Sequence, residues 1–307
     1  MQIHHQRERD LLAQRELRSL QRFHPTREDL DPNHDGRVDT SEIDHAFLRV
    51  VQDLYLGGHT QEMNGLLQAV DLQIPWLFSQ NLRTRVEHYL NTLQRSPDSP
   101  VFVESLYRFV VSSPANGGLG VHVDGNVSLQ ENADGIVRRG VTNCLGFVTL
   151  FYGVCLLAGL DVVFFDHRIS SHQYHSFMGV RLGQRVLYVD PLQGGVHDHA
   201  DLRATSEVSL VEFFGEYHVN RALLNFNPST NQPILVEQAW VALNCALHFS
   251  PHDASVYYTV GEWLLYHPGR ESHRVPRARS YIERARTLDP AFPIPQDILR
   301  ELNLQSY

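Results

Sequence analysis

The spacing of apolar residues predicts helices towards both ends of the chain and a mixed region between them. Leucines at helical spacing in residues 7–23 indicate an amphipathic helix, and similar stripes predict helices across Gly57–Phe109 and again after Pro233. At the end of the Gly57–Phe109 region, the segment Val101–Val111 is apolar enough to be a helix or a strand, and its periodicity leaves both open. The pattern as a whole indicates a protein of the α+β class.

The central stretch Gly140–Pro191 differs from its surroundings because almost every position of Leu145–Leu157 is apolar. A helix with this pattern is buried on all sides, and Gly159 is placed to end it. Cys144 then lies in the first turn, where the helix dipole and unpaired backbone N–H groups favour a thiolate and can stabilise an oxyanion. This position suits a nucleophile.

A hairpin is predicted over Tyr174–Pro191, with two strands joined by the turn Gly183-Gln184. With that turn, His175 becomes the diagonal neighbour of Asp190 on one face of the sheet. Diagonal Cα atoms lie about 7–8 Å apart, which is within reach of longer side chains. Cysteine, histidine and aspartate in this order are the components of a nucleophile, a general base and an orienting acid.

Structural roles are the competing interpretation: a buried cysteine, a hydrogen-bonded core histidine and a strand-end aspartate. The chain has 18 histidines, so chance neighbours are common. A zinc site around His197–His199 is a further alternative, although no third ligand stands at a regular spacing. The other two cysteines, Cys155 and Cys245, lie in helical patterns typical of core positions.

Residues 31–42 read DPNHDGRVDTSE, which matches the calcium-loop pattern D-x-[DN]-x-[DN]-G-x5-E without a gap. In such a loop, side chains and one backbone carbonyl bind the ion, and a bidentate carboxylate at position twelve completes the coordination. The competing interpretation is a solvated turn that has the pattern without the affinity. The predicted calcium ligands are Asp31, Asn33, Asp35, Arg37 through its backbone carbonyl, Asp39 and Glu42.

Composition narrows the possible partners and compartment. The formal net charge of −9 argues against a nucleic acid or an anionic membrane as partner. Three cysteines suggest no disulfide framework and fit a reducing compartment. The first residues lack the apolar segment of a secretory signal, and the longest apolar run falls short of a bilayer span. We therefore expect a cytoplasmic protein, with export by a signal-less route as the open alternative.

The order and spacing of these residues resemble the transglutaminase-like superfamily, whose papain-related core also includes peptidases and deamidases. The stretch GIVRRGVTNCLGFVTLFYGVCLLAGLDVVFF, the histidine strand and YVDPLQGG are similar to bacterial transglutaminase-like proteins with C-terminal tetratricopeptide repeats. The resemblance covers about Ser128–Leu202. By position it implies Cys144 as the nucleophile, His175 as the general base and Asp190 as the residue that orients it. The calcium loop resembles a single EF-hand.

Together these patterns predict N-terminal helices with the EF-hand (1–56), a transglutaminase-like core (57–230) and a helical, tetratricopeptide-like segment (231–307). The expected function is cysteine-dependent acyl transfer on peptide or glutamine side-chain amides, as a transglutaminase, deamidase or peptidase, with bound Ca²⁺. The alternative is a catalytically inactive, calcium-responsive scaffold for protein interactions. Expected partners are a protein or peptide substrate and a further protein at the C-terminal helices, with no nucleic acid and no membrane.

Overall fold

The structure is a computed structural model that describes residues 13–23, 30, 40–70, 72–93, 96–125, 127, 130–168, 174–198, 205–225, 233–266 and 274–304. Helices and an antiparallel sheet combine in these residues, which confirms the predicted α+β class. The helices are α1 (residues 13–20), α2 (Thr40–Leu56), α3 (Thr60–Val70), α4 (Gln80–Thr92), α5 (Pro100–Val111), α6 (Ala133–Arg139), α7 (Cys144–Leu157), α8 (Leu210–Asn225), α9 (Pro233–Phe249), α10 (Ala254–Tyr266), α11 (Arg274–Leu288) and α12 (Gln296–Glu301). The strands are β1 (His122–Val123), β2 (Val141–Thr142), β3 (Asp161–Arg168), β4 (Tyr174–Leu182), β5 (Arg185–Asp190), β6 (Gly195–His197) and β7 (Thr205–Val208).

Five of the described strands form an antiparallel sheet in the order β6-β5-β4-β3-β7. Strands β4 and β5 pair with Leu182 opposite Arg185, which leaves a two-residue turn between them. The first turn residue, Gly183, has a φ of 62°, the left-handed conformation that such a tight turn requires. The predicted hairpin and its register are thus confirmed.

The chain divides into two compact units. The first contains Met1–Gln73, Phe214–Ala222 and Phe226–Tyr307, and the second contains Ile74–Phe213 and Leu223–Asn225. The N-terminal helices therefore belong to the same unit as the C-terminal helices, although they are far apart in sequence. The three segments expected from the sequence follow chain order instead, and their division stays a prediction.

The second unit is built around α7, in which every residue from Leu145 to Cys155 is buried. This is what its uniformly apolar pattern predicts. The helix packs against β3 and β4. Its Tyr152 ring meets Trp76 and Phe164 edge-on, with ring centroids 5.4 and 4.9 Å apart. Each large apolar side chain contributes about 1.5–3 kcal/mol on burial, so these contacts fix α7 on the sheet.

The segment that could have been a helix or a strand is the helix α5. Pro100 occupies its first turn, and the Ser99 side chain accepts a hydrogen bond from the Phe102 N–H at 3.2 Å. Residues at helical spacing, including Phe102, Leu106 and Phe109, are buried. The cap and the proline at the start of α5 therefore favour a helix where the apolar periodicity left helix and strand open.

The first unit has its own apolar core, formed mainly by α9, α10 and α11. Helices α10 and α11 pack closely at Gly261, where a Cβ would lie only 2.8 Å from the Ile282 side chain. In the same unit, the Arg15 side chain donates a hydrogen bond to the Ala69 carbonyl at 2.9 Å and so links α1 to α3. Among the described residues, no helix is both long and apolar enough to cross a membrane.

Candidate active site

Cys144 is the first residue of α7, and its neighbours fix that helix start. The Asn143 side-chain oxygen accepts a hydrogen bond from the Gly146 N–H at 2.8 Å, so Asn143 is the N-cap. Thr142 lies so close to this turn that a Cβ on Gly146 would come within 2.0 Å of the Thr142 Oγ1, a contact that only glycine avoids. Cys144 itself is partly exposed and therefore accessible to a substrate.

The helix start also gives Cys144 an electropositive environment. An α-helix leaves its first backbone N–H groups without intrahelical acceptors, and the Asn143 side chain accepts a hydrogen bond from that of Gly146. The N–H groups of Cys144 and Leu145 belong to the same turn. Together with the helix dipole they favour negative charge beside the sulfur, including the oxyanion of an attacked carbonyl.

His175 and Asp190 are in direct contact, with the His175 Nε2 2.9 Å from the Asp190 Oδ2. The strand register explains this contact, because Met178 lies opposite Val189 and the pairing continued outward makes His175 and Asp190 diagonal neighbours. Both side chains are largely buried, with 13% and 8% of their surfaces exposed. The contact between His175 and Asp190 that the hairpin turn predicts is therefore present.

Hydrogen bonds to the second carboxylate oxygen of Asp190 fix the orientation of its side chain. Its Oδ1 accepts hydrogen bonds from the backbone N–H groups of Leu192 at 2.8 Å and Gln193 at 3.1 Å. Burial alone would raise the pKa of Asp190, but the hydrogen bonds from His175, Gln193 and Leu192 lower it below its usual range. The carboxylate therefore stays ionised, with its Oδ2 turned towards the imidazole.

The Cys144 thiol lies beside the same imidazole. Burial would lower the pKa of His175, but the hydrogen bond to Asp190, the interaction with the Cys144 thiol and the charge of Asp190 raise it to about 9. Asp190 occupies Nε2, and the other ring nitrogen, Nδ1, is buried and has no hydrogen-bond partner among the described residues. The ring also stacks on Phe177 at 5.7 Å, which limits its rotation.

The alternative residues do not come together in this way. Cys155 is fully buried, and burial raises the pKa of its thiol, which makes it an inert core cysteine. Cys245 lies on α9 in the first unit. In the proposed zinc segment, Asp198 forms an ion pair with Arg185, and His199 lies outside the described residues.

Tyr107 belongs to this site, although the sequence pattern does not single it out. Its ring packs against Phe147 of α7 with centroids 5.8 Å apart, and its hydroxyl lies 4.0 Å from where a Cβ on Gly194 would stand. Burial raises the pKa of Tyr107, and the charges of Glu104 and Asp190 raise it further, so the phenol is neutral. The available signal was the helical spacing that puts Tyr107 one turn after the buried Val103.

Most of the predicted calcium loop lies outside the described residues, which leave out Asp31, Asn33, Asp35, Arg37 and Asp39. Leu30 is helical and α2 begins at Thr40, so helical residues flank the loop at the places expected of an EF-hand. Glu42 lies in the first turn of α2 and is buried. This placement fits the carboxylate that closes a calcium site, and the calcium assignment stays a prediction.

Comparisons with known proteins give no relative for this chain: no protein-family model, curated protein or solved structure matches it. The resemblance to transglutaminase-like proteins therefore rests on the residues of Ser128–Leu202 and stays a prediction. The contact between His175 and Asp190, and the nearness of Cys144 to the His175 ring, are independent of that resemblance.

Proposed function

We propose that this chain is a cysteine-dependent acyltransferase or hydrolase with a papain-like core that acts on peptide or glutamine side-chain amides. The observation that carries the proposal is the position of His175, whose Nε2 lies 2.9 Å from the Asp190 Oδ2, with Cys144 near enough to raise the pKa of the same ring. A cysteine at a helix start beside a histidine and an aspartate on an antiparallel sheet is the arrangement that activates a thiol.

In the proposed reaction, the proton shared by Cys144 and His175 rests on the imidazole, whose pKa is raised to about 9, and the Cys144 thiolate attacks the amide carbon of the substrate. The backbone N–H groups at the start of α7 stabilise the oxyanion that forms. The C–N bond then breaks, and the imidazolium returns the proton to the leaving nitrogen, which departs as ammonia or an amine. Water or a second amine attacks the thioester and gives its proton to His175, and the acyl product and the Cys144 thiolate are released beside the imidazolium.

The test is an incubation of the full chain with glutamine-containing peptides, with and without a primary amine. We expect ammonia release in both cases, and a thioester between the peptide and Cys144 in the mass of the quenched protein. Incorporation of the amine identifies a transglutaminase, and a product formed only with water identifies a hydrolase. A chain that releases no ammonia, cleaves no peptide bond and carries no adduct on Cys144 contradicts the proposal and favours the scaffold alternative.

The rate of acylation is expected to fall as the pH rises through about 9. The pKa of His175 is raised to about 9, so below that pH the ring keeps the proton that the leaving nitrogen needs, and above it the proton is lost. Asp190→Asn removes the acceptor and the charge that raise this pKa, so the descending limb should move to lower pH, towards the ordinary histidine value near 6.5. The measurement is kcat/KM as a function of pH.

Asp198→Asn is the matched control for this profile, because Asp198 is exposed and pairs with Arg185. Its descending limb should coincide with that of the unmodified chain. If Asp190→Asn lowers the rate equally at every pH and leaves the limb in place, Asp190 does not set the protonation of His175.

The calcium part of the proposal predicts that Ca²⁺ stabilises the chain. A site that is saturated about 100-fold above its Kd raises Tm by about 5–10 °C for a unit of this size. Asp31→Ala, which removes the first ligand of the loop, should abolish the rise, whereas Asp53→Ala on the exposed side of α2 should retain it. A melt unmoved by millimolar Ca²⁺, together with no heat of binding, removes calcium from the account.

A further inference from the structure

Three ionisable side chains meet in the core of the first unit, away from the cysteine. Glu16 comes from α1, Asp44 from α2 and His248 from α9, and they are 0%, 1% and 2% exposed. Charged groups are rarely buried to this degree unless they are paired or bind a metal ion. Neither the predicted calcium loop nor the proposed catalytic residues account for this cluster.

The potential ligand atoms of the cluster converge. The His248 Nε2 lies 2.8 Å from the Asp44 Oδ1 and 3.6 Å from the Glu16 Oε2, and all three atoms lie within 4.8 Å of one another. Ligands bound to one ion at about 2.0–2.2 Å stand roughly 3–4 Å apart. Small side-chain movements would therefore place all three atoms around a single cation.

Glu16 supplies the second, independent observation. Within the described part of the chain, neither of its carboxylate oxygens has a hydrogen-bond partner, and the 3.6 Å separation from the His248 Nε2 is too long for a hydrogen bond. The carboxylate is completely buried and faces the other two groups. Burial raises the pKa of Glu16 to about 8, although His248 opposes this rise. Burial lowers the pKa of His248, but Asp44 and Glu16 raise it to about 9, so a metal ion would take the place of the proton on its Nε2 and lie beside the Glu16 carboxylate.

We infer that Glu16, Asp44 and His248 bind a divalent transition-metal ion, with Zn²⁺ as the ion to be tested. One imidazole nitrogen and two carboxylate oxygens form a mixed ligand set that suits such an ion. Calcium is a poor fit, because it takes six to eight oxygen ligands. Two carboxylates and a neutral imidazole around a dication are neutral overall, which is the favoured charge state in a dry core.

The proposed metal ion has a structural role. It joins three helices of the first unit, and two of its ligands are 204 residues apart in the chain. With solvent excluded from all three side chains, the ion holds the N-terminal helices against α9 rather than activating a substrate. Metal binding therefore adds directly to the stability of this unit.

The test is a thermal melt of the metal-free full chain with Zn²⁺, with Co²⁺ as a spectroscopic probe of the same site. We expect Zn²⁺ to raise Tm by about 5–10 °C when it is about 100-fold above its Kd, and Co²⁺ to give a visible absorption band that Zn²⁺ abolishes. Glu16→Gln has nearly the same shape and removes a buried charge, so its metal-free form should fold. It should lose the Tm rise and the band.

Glu62→Gln, at an exposed position on α3, is the matched control and should keep both signals. His248→Gln is a second variant that should lose the band if Glu16→Gln proves difficult to produce. Adventitious binding at the 18 histidines would survive Glu16→Gln, because that change leaves every histidine in place. The inference is overturned if the unmodified chain gives no Zn²⁺-dependent rise, or if Glu16→Gln keeps the full rise.

Discussion

Cys144→Ala is expected to reduce amide turnover by at least about 1000-fold, because the variant cannot form the thioester intermediate. The remaining rate would come from substrate binding and the N–H groups at the start of α7. Cys144 is partly exposed and α7 is fixed by its buried residues, so the variant should fold with unchanged Tm. A turnover assay measures the loss of activity, the intact mass of the quenched protein shows whether the thioester forms, and a thermal melt measures Tm.

Cys245→Ala is the control, since Cys245 lies in the first unit and takes no part in the proposed reaction. It should keep full turnover. If Cys144→Ala retained a substantial part of the turnover of the unmodified chain, the chemistry would not pass through this sulfur, whatever the geometry around it.

His175→Gln is expected to reduce turnover by about 100- to 10,000-fold, the usual contribution of a positioned acid–base group. Glutamine preserves the approximate size of the side chain but cannot carry the proton between the sulfur and the leaving nitrogen. Because Cys144 and His175 act as one unit, the double variant with Cys144→Ala should be no slower than Cys144→Ala alone. Additive losses in the double variant would mean that the two residues act separately.

His218→Gln tests whether the loss is specific to His175. His218 is also buried, but it lies on α8 in the first unit, and burial lowers its pKa to about 3. Its replacement should leave turnover unchanged per folded molecule. Equal losses from both histidine variants would point to a general effect on stability.

Local rules predicted much of this site from the sequence. The two-residue turn at Gly183 sets the β4–β5 register, and in an antiparallel pair the register fixes which side chains meet. His175 and Asp190 therefore follow from the turn alone. The continuous apolar pattern of Leu145–Leu157 likewise predicts a buried helix, and Gly159, with a φ of 68°, follows its end.

The remaining contacts depend on packing between segments that no local pattern connects. The hairpin pattern does not predict which helix packs against the sheet. The nearness of Cys144 to His175 is therefore known only from the three-dimensional structure. Tyr107 was missed because its segment was ambiguous between helix and strand until the Ser99 cap and Pro100 were considered. The contact between Asp44 and His248 spans 204 residues, and neither residue belongs to a motif.

The most direct test of the central claim is the rate at which iodoacetamide modifies Cys144 at pH 6, measured by mass spectrometry of the modified peptide. In the unmodified chain, Cys144 should react much faster than a free thiol, which has a pKa near 8.5 and is almost wholly protonated at that pH. Cys155 should remain unmodified because it is buried. His175→Gln should reduce the rate at Cys144 to that of an ordinary thiol. If Cys144 reacts no faster than a free thiol and does not respond to His175→Gln, the thiol is not activated and the proposed catalysis is wrong.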